Sequence, residues 1–340
     1  MTVDLVVAGG GPAGLATAMH AVRAGLSVVV REPRAGVIDK ACGEGVMPAG
    51  VRLLAELGVH PEGRELVGIR YCDANHEAAT RFRRAPGRGV RRTELHRALR
   101  EAALAAGVRI ERGRVQEVTQ QPGGVVVDGV PAGHLVVADG LHSPLRRRLG
   151  LDRGAGTPVR YGLRQHVRRE PWTDHVEVYW AAHSEAYVTP VADDQVGIAV
   201  LTGRRAPYAE QLAAFPRLLA RLDGAIPTSS VRGAGPLRQR ARRRVTGRAL
   251  LVGDSGGYVD ALTGEGISLA LAQAQAAVRA IVSGDLSGYE RSWRRIVRGH
   301  RLLTGTLVAV GASPARGLVV PAAQRLPRVF HAAVNAVGRA

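Results

Sequence analysis

Apolar positions in this chain come in two textures. At both ends of the sequence they form short continuous runs separated by glycine, and in the middle they alternate with polar residues. Leu5 to Ala8 is an apolar run of strand type, and Gly9-Gly10-Gly11-Pro12-Ala13-Gly14 follows at once. Leu15 to Ala24, rich in Ala, Leu, Met and Val, reads as a helix that Gly25 stops. Leu26 to Val30 is a second apolar strand, with Glu32 at its end. A loop over Pro33 to Lys40 leads into Ala41 to Pro48, a fixed non-helical segment because of its glycines and proline. Ala49 to Leu57 predicts a short helix, Val67 to Cys72 with Ala78 to Phe82 a hairpin, and Val90 to about Ala106 a helix ended by Gly107. Val108 to Ile110, Val115 to Val118, Val125 to Val127 and His134 to Val137 predict short strands.

The texture changes at Val159. Val159 to Val167, Val176 to Trp180, Ala186 to Thr189 and Val196 to Leu201 read as successive strands with no long helix between them, hence a mostly antiparallel sheet. Tyr208 to Leu222 predicts a helix, and Val231 to Arg240 a strand returning to the first domain. Ala249 to Val252 is again an apolar strand. Long helices follow over Gly266 to Ser283 and Leu286 to about Val310, and then a stretch broken by Gly and Pro.

The opening stretch is strand, Gly-x-Gly-x-x-Gly, helix, strand, acid, the order of a βαβ dinucleotide site. Gly9 allows the tight turn, Gly11 lets a pyrophosphate approach the backbone, and Gly14 lets helix and strand pack closely. The helix opens at Pro12, which has no N–H of its own, and from Ala13 onward its N-terminus presents free N–H groups to phosphate; Glu32 offers its carboxylate to a ribose. Asp139-Gly140 and Gly253-Asp254 each follow a predicted strand. An acid at the C-terminal end of a parallel strand lies where open α/β sheets bind ligands. Gly264, Gly266 and Ile267 open the long helix, whose N-terminus favours an anion.

Composition narrows the function. With Lys+Arg 47 against Asp+Glu 29, the 340 residues carry a net charge of +18. Aromatic residues are only 4%, arginines are spread through every segment, and no nucleic-acid-binding motif occurs, so nucleic acid is not the expected partner. Acidic cofactors, acidic substrates or an anionic membrane surface suit the charge better. Cys42 and Cys72 are the only cysteines and form neither a disulfide framework nor a metal cluster. No metal site is expected. The chain opens directly on a strand, and no run reaches the ~20 apolar residues of a membrane span. Both features predict a cytoplasmic protein. Lys40 is the only lysine, and it abuts the fixed loop. Its ammonium is a compact charge whose pKa can move, which a guanidinium cannot supply.

The three glycine–acid patches together resemble the FAD-dependent enzymes of the para-hydroxybenzoate hydroxylase superfamily, which includes aromatic hydroxylases, flavin halogenases and geranylgeranyl reductases. The resemblance runs from Val3 to about Ser283. It implies an α/β fold: a Rossmann-type FAD-binding domain (residues 1–66, 91–155 and 241–284), an inserted mostly antiparallel β-sheet substrate domain (67–90 and 156–240), and C-terminal helices (285–340). It implies FAD as cofactor and NAD(P)H as electron donor. It also places Asp254 on the ribityl chain, Arg92 on the flavin, and Asp139 in the segment used for FAD and nicotinamide access.

The branch within the superfamily is mixed. Lys40-Ala41-Cys42-Gly43 and Thr263-Gly264-Glu265-Gly266-Ile267 look like geranylgeranyl reductases, and Gly43-Glu44-Gly45 with Pro48 resembles a halogenase loop. The reductases' aromatic-rich motif ending in Phe-Pro is here Ala186-Tyr187-Val188-Thr189-Pro190, which lacks the Trp and Phe. The halogenases' Trp-x-Trp-x-Ile-Pro is absent, and the chain is short for sheltering a prenyl tail. These departures favour an O2-dependent monooxygenase of a lipophilic small molecule, with alkene reduction as the alternative. A dinucleotide-binding protein without a flavin is a further alternative, against which the Gly253-Asp254 patch argues. Lys40, Cys42 and Glu44 are the catalytic candidates; an apolar setting would favour the protonated Glu44 as a proton donor. His166, Tyr179 and Tyr187 are the substrate-side candidates. Leu302 to Val310 and Leu318 to Val337 are apolar with spaced arginines, which suits helices covering the pocket or lying on a membrane surface.

Overall fold

The computed structural model describes residues 3–337. Its helices, in chain order, are α1 (Pro12–Arg23), α2 (Pro48–Glu56), α3 (Arg92–Ala105), α4 (Pro144–Arg148), α5 (Tyr208–Leu212), α6 (Pro216–Arg221), α7 (Gly266–Ser283), α8 (Leu286–Gly311), α9 (Val319–Arg325) and α10 (Pro327–Val337). Two sheets organise them. The first has a parallel centre in which Val3–Ala8 lies between Val28–Glu32 and Val130–Val137. Arg109–Arg112 extends it on one side and Ala249–Leu251 on the other, both parallel. These central strands are continuous apolar runs because helices cover one face and antiparallel strands or loops the other. α1 and α7 pack against each other there, with Leu5, Leu15, Val30, Leu250 and Ala274 in one core.

Strand and helix can meet this closely only because Gly14 has no side chain. A Cβ there would sit 1.8 Å from the Gly9 carbonyl oxygen. Pro12 at the first helical position presets φ for α1, and Gly25, at φ +81°, ends it. α7 matches a membrane span in length and composition, contrary to the expectation that no segment would. Its mean hydropathy of 1.2 belongs to a core helix, packed between α1, α2 and α8.

The second sheet runs Ile226–Pro227, Tyr161–Arg168, Gln195–Thr202, Ser184–Ala192, His175–Trp180, Gly68–Cys72, Glu77–Arg81. Every pairing in it is antiparallel except His175–Trp180 with Gly68–Cys72. Three details differ from the sequence reading. The helix expected over residues 208–222 is broken by Pro216, whose missing N–H and ring end α5 and restart as α6. The returning strand splits at Gly235–Pro236. Arg232–Ala234 pairs with Tyr161–Arg168 inside the second sheet, and Gln239–Ala241 pairs with Asp152–Ala155. Residues 115–117 are not a strand, because Gln116 and Glu117 donate their N–H groups to the Asp128 carboxylate; pairing begins at Val118. The C-terminal stretch is helical as the resemblance implies, through a 3₁₀ turn at Pro314–Leu318 and then α9 and α10.

α9 and α10 pack on the Glu77–Arg81 edge of the second sheet. Phe330 lies 4.9 Å from Tyr71, ring to ring, and Asn335 accepts the Arg83 N–H at 2.7 Å. A chain of buried charges pins this segment. Arg316 ion-pairs with Glu185 at 2.7 Å, Glu185 with Arg160 at 2.5 Å, and Arg160 with Asp260 at 3.1 Å. Glu185 is fully buried. Removing one partner of a buried ion pair is costlier than the pair's net worth, because it leaves a charge without compensation. Arg316→Ala is therefore expected to destabilise the protein by about 3 kcal/mol in urea unfolding and to expose the C-terminal helices to protease first. An unchanged unfolding midpoint would show that Arg160 alone satisfies Glu185.

Candidate functional site

The ends of Val3–Ala8, Val130–Val137 and Ala249–Leu251 open into one cleft, as expected for a parallel sheet of this kind. The three glycine–acid patches lie along it. Gly9 (φ +112°) and Gly253 (φ +68°) take left-handed turns that other residues adopt only under strain. At Gly11 a Cβ would meet nothing within 4 Å, so the backbone faces open space at the start of α1. Pro12, Ala13, Gly264, Gly266 and Ile267 line the same cleft. Glu32 is buried; its carboxylate accepts the Gly10 N–H at 2.8 Å and Arg34 N–H groups at 2.9 and 2.8 Å. A ribose would therefore share Glu32 with Arg34, which is itself largely exposed.

Arg92 and Asp139, which line this cleft, each hold a buried polar atom without a hydrogen-bond partner among the described residues. Arg92, at the start of α3, is buried, and its Nη1 makes no hydrogen bond among the described residues. Asp139 receives the Leu145 N–H at one oxygen, 3.2 Å away, while the other oxygen is buried and unpaired; burial raises its pKa above the usual aspartate value. An orphaned buried donor and acceptor each carry a desolvation cost that a ligand with complementary groups removes. FAD, with its pyrophosphate, ribityl hydroxyls and ring carbonyls, has both kinds of group, so the residues present fit it. Asp254 is not buried as expected. It is about one-third exposed to the cleft and faces Lys40 Nζ at 3.5 Å. That pair spans two of the glycine–acid patches, since a Cβ on Gly140 would lie 3.3 Å from the same ammonium.

The loop Lys40 to Met47 borders the cleft where the two sheets meet. Glu44 holds it, at φ +61°, a conformation that costs a non-glycine residue ~1 kcal/mol or more. One carboxylate oxygen accepts the Arg92 backbone N–H at 2.7 Å, at the positive end of α3. The other lies 2.5 Å from His166 Nε2 on Tyr161–Arg168. Arg164 Nε is 4.0 Å away, and the same guanidinium pairs with Asp39 through Nη2. The expected apolar setting for Glu44 is therefore replaced by a saturated polar one. Cys42 Sγ accepts the Glu44 N–H at 3.4 Å and borders the cavity; burial and the Glu44 charge push its thiol above the ordinary 9.0.

The substrate-side candidates separate. Tyr187 lines the cavity and donates to the Leu262 carbonyl at 2.7 Å. His166 is fully buried behind Glu44 and held by Ser229 Oγ at 2.9 Å, so it positions the loop rather than meeting a substrate. Tyr179 points to the opposite face of the sheet, beside Phe215 and Leu218, with its hydroxyl on Glu177 at 2.8 Å. Alternation along a strand is compatible with either face, and the observed register turns Tyr179 away from the cavity. Sequence reasoning also missed Tyr258, which lines the cavity and packs 3.5 Å from where a Gly266 Cβ would be. A second buried pair escaped it too. Glu265 meets His300 of α8 at 2.7 Å, with Thr263 and Thr304 joining, and nothing in the sequence spacing links residues 35 apart. Cys42 and Cys72 are free thiols, and no group of three potential metal ligands occurs among the described residues.

Beyond the loop the cavity turns apolar. Its total volume, about 910 Å³, lies at the upper end of the ~300–1,000 Å³ typical of small-molecule sites. Ile69, Val176, Val178 and Leu201 wall it on the sheet side, and Leu303, Leu307, Val319 and Phe330 on the side of the C-terminal helices.

A parallel sheet with glycine–acid turns at three strand ends, beside an antiparallel sheet that walls an apolar cavity, defines an FAD-dependent oxidoreductase of the hydroxylase and halogenase superfamily. The chain belongs to the FAD binding domain family, whose model matches residues 2–284. It is 29% identical over 330 residues to the menaquinone reductase of Mycolicibacterium smegmatis, covering 87% of this chain and 80% of that one. It is 27% identical over 320 residues to digeranylgeranylglycerophospholipid reductase 2 of Methanosphaera stadtmanae, covering 84% and 80%. Among solved structures, the flavin-dependent brominase Bmp2 superposes with a TM-score of 0.83 at 17% identity, over 100% of this chain and 94% of that one. The Diels-Alderase PyrE3 superposes with a TM-score of 0.75 at 25% identity, over 98% and 80%.

Gly11→Val is expected to leave the fold intact, since its side chain enters open space, and to yield colourless protein; Gly14→Val is expected to fail to fold. A yellow Gly11→Val protein would move the pyrophosphate elsewhere. Asp254→Asn removes one charged hydrogen-bond acceptor from the cleft, worth ~1.5 kcal/mol at this exposure, so the FAD dissociation constant should rise about ten-fold. An unchanged constant would remove Asp254 from the site.

Proposed function

We propose that this chain is an FAD-dependent reductase that saturates a carbon–carbon double bond of a lipophilic, isoprenoid-type substrate, with NAD(P)H as donor. The observation that carries the proposal is the apolar half of the cavity. It begins beside Cys42 and Glu44 and is walled by the C-terminal helices, so a long apolar chain can run from the flavin end along apolar side chains. The names of the reductase relatives support the same reading. Oxygenation, which the altered Ala186 to Pro190 stretch favours, becomes the second reading.

Bound FAD would supply hydride chemistry, taking a hydride from the nicotinamide and delivering one to carbon. The residues of the chain do the rest. Gly11 and the start of α1 would receive the pyrophosphate, and Arg92 Nη1 and Asp139 would gain the partners they lack. Glu44 keeps the loop seated through Arg92 N–H and His166. Thr189 Oγ1 braces the loop further by donating to the Gly43 carbonyl at 2.8 Å. Cys42 Sγ holds a proton at the cavity wall, since burial keeps the thiol neutral. It can pass that proton to the second carbon of the double bond and recover it from solvent. Arg92 is the nearby charge that favours the transient thiolate.

The test is turnover under nitrogen with NAD(P)H and a polyprenyl quinone. The reading expects a product whose polyprenyl chain is heavier by two hydrogens, still so after air has returned any quinol to quinone, and no need for O2 during turnover. A product carrying one added oxygen, formed only in air, would establish the monooxygenase instead. Cys42→Ala should keep its FAD and lose turnover by ~100-fold, the scale of a missing proton donor. Because the folded-state thiol pKa is raised, the S–H form persists to higher pH, so wild-type turnover should fall only above pH 9.0. A decline centred in the neutral range would assign the proton to another group.

A further inference from the structure

The last fifty residues, 291–340, contain nine arginines and neither aspartate nor glutamate. Half of the chain's net charge of +18 therefore sits in one seventh of its length. The same segment displays the three most exposed large apolar side chains among the described residues, Leu302 at 73%, Leu318 at 63% and Val329 at 62%, with Leu326 at 55% beside them. They belong to α8, the 3₁₀ turn and the α9–α10 pair, which together form one wall of the cavity. Leu326 and Val329 both line the cavity and face outside, so the cavity mouth opens within this apolar patch. Arg298 and Arg301 stand on α8 near Leu302, and Arg325 and Arg328 flank Leu326, all exposed and without an ion-pair partner among the described residues.

We infer that this face docks on an anionic lipid bilayer and that the cavity mouth opens into the bilayer's apolar layer. Leucines and valines that enter the acyl boundary, ringed by arginines that meet lipid phosphates, are the arrangement of an interfacial helix. A spanning arrangement is excluded by the packing. The inner faces of α8 and α10 are committed to Tyr289, Trp293, Phe330 and Val334, all buried, and α8 meets the Pro314–Arg325 segment at 105°. A second copy of the chain is a poorer occupant, because two such faces would bring arginine against arginine with no acid on either side. The inference does not depend on whether the bound flavin reduces or oxygenates the substrate.

The test uses the full chain loaded with FAD, and vesicles of phosphatidylcholine with and without phosphatidylglycerol. Flotation is expected with the anionic vesicles, at least ~10-fold weaker with the neutral ones, and weakened by salt, which screens the arginines. Leu302→Glu combined with Leu318→Glu touches neither the cavity nor the flavin cleft. This variant should keep its flavin content and melting temperature and lose vesicle binding by at least ~10-fold. Arg298→Glu with Arg325→Glu should do the same and lower the salt dependence. No flotation of the wild type, equal flotation of the Leu302→Glu/Leu318→Glu protein, or a wild-type dimer that the same substitutions dissociate would each overturn the inference. The last result would make a second copy the occupant.

Discussion

One buried carboxylate joins the parts of this molecule. Glu44 bonds the first backbone N–H of α3, which belongs to the dinucleotide-binding half, and His166, which belongs to the antiparallel sheet. Both oxygens are used, the residue is almost completely buried, and its backbone is in the left-handed region. Each of these features costs free energy alone: a desolvated charge, an unusual φ, and a histidine and arginine brought close in the interior. They persist because each satisfies another. The consequence is a loop, Lys40 to Met47, fixed at the seam between the sheets, with Cys42 at the cavity wall.

A second set of buried charges does the corresponding work at the far end. Arg316, Glu185, Arg160 and Asp260 run from the C-terminal segment through the second sheet to the loop that follows Gly253-Asp254. Burial raises the Asp260 pKa to about 6 despite Arg160 beside it. A carboxyl with a raised folded-state pKa binds its proton more tightly when folded, so its contribution to stability is greatest below the unfolded value and declines as pH rises through about 6. The lid over the apolar cavity is thus tied electrostatically to the flavin loop. A helix held only by its apolar face would slide more easily.

Much of this was legible in the sequence, for identifiable reasons. Gly9, Gly11 and Gly14 carry steric requirements that leave a spacing, and the apolar runs of the parallel strands leave no ambiguity of face. α7 was legible to the residue because Gly266 and Gly284 bracket a largely apolar, alanine-rich run. Long-range pairing was not legible. Glu44 was read as a proton donor because its partner, His166, lies 122 positions away; only the fold shows that the two saturate each other. Tyr179 and Tyr187 have the same residue type and strand context, yet lie on opposite faces, since a strand's register onto its neighbours decides which face is inward. Pro216 and Pro236 each end an element that the apolar pattern alone makes continuous.

The claim that Glu44 couples the two halves is tested most directly by a double-mutant cycle in urea unfolding, with Glu44→Gln, His166→Ala and the double variant. Direct contact predicts strong non-additivity, with a coupling of about 1.5 kcal/mol or more, because once either partner is removed the second substitution costs little further. Additivity within about 0.5 kcal/mol would mean that the two residues stabilise the protein independently. In that case the loop over the cavity would be held by something other than this pair.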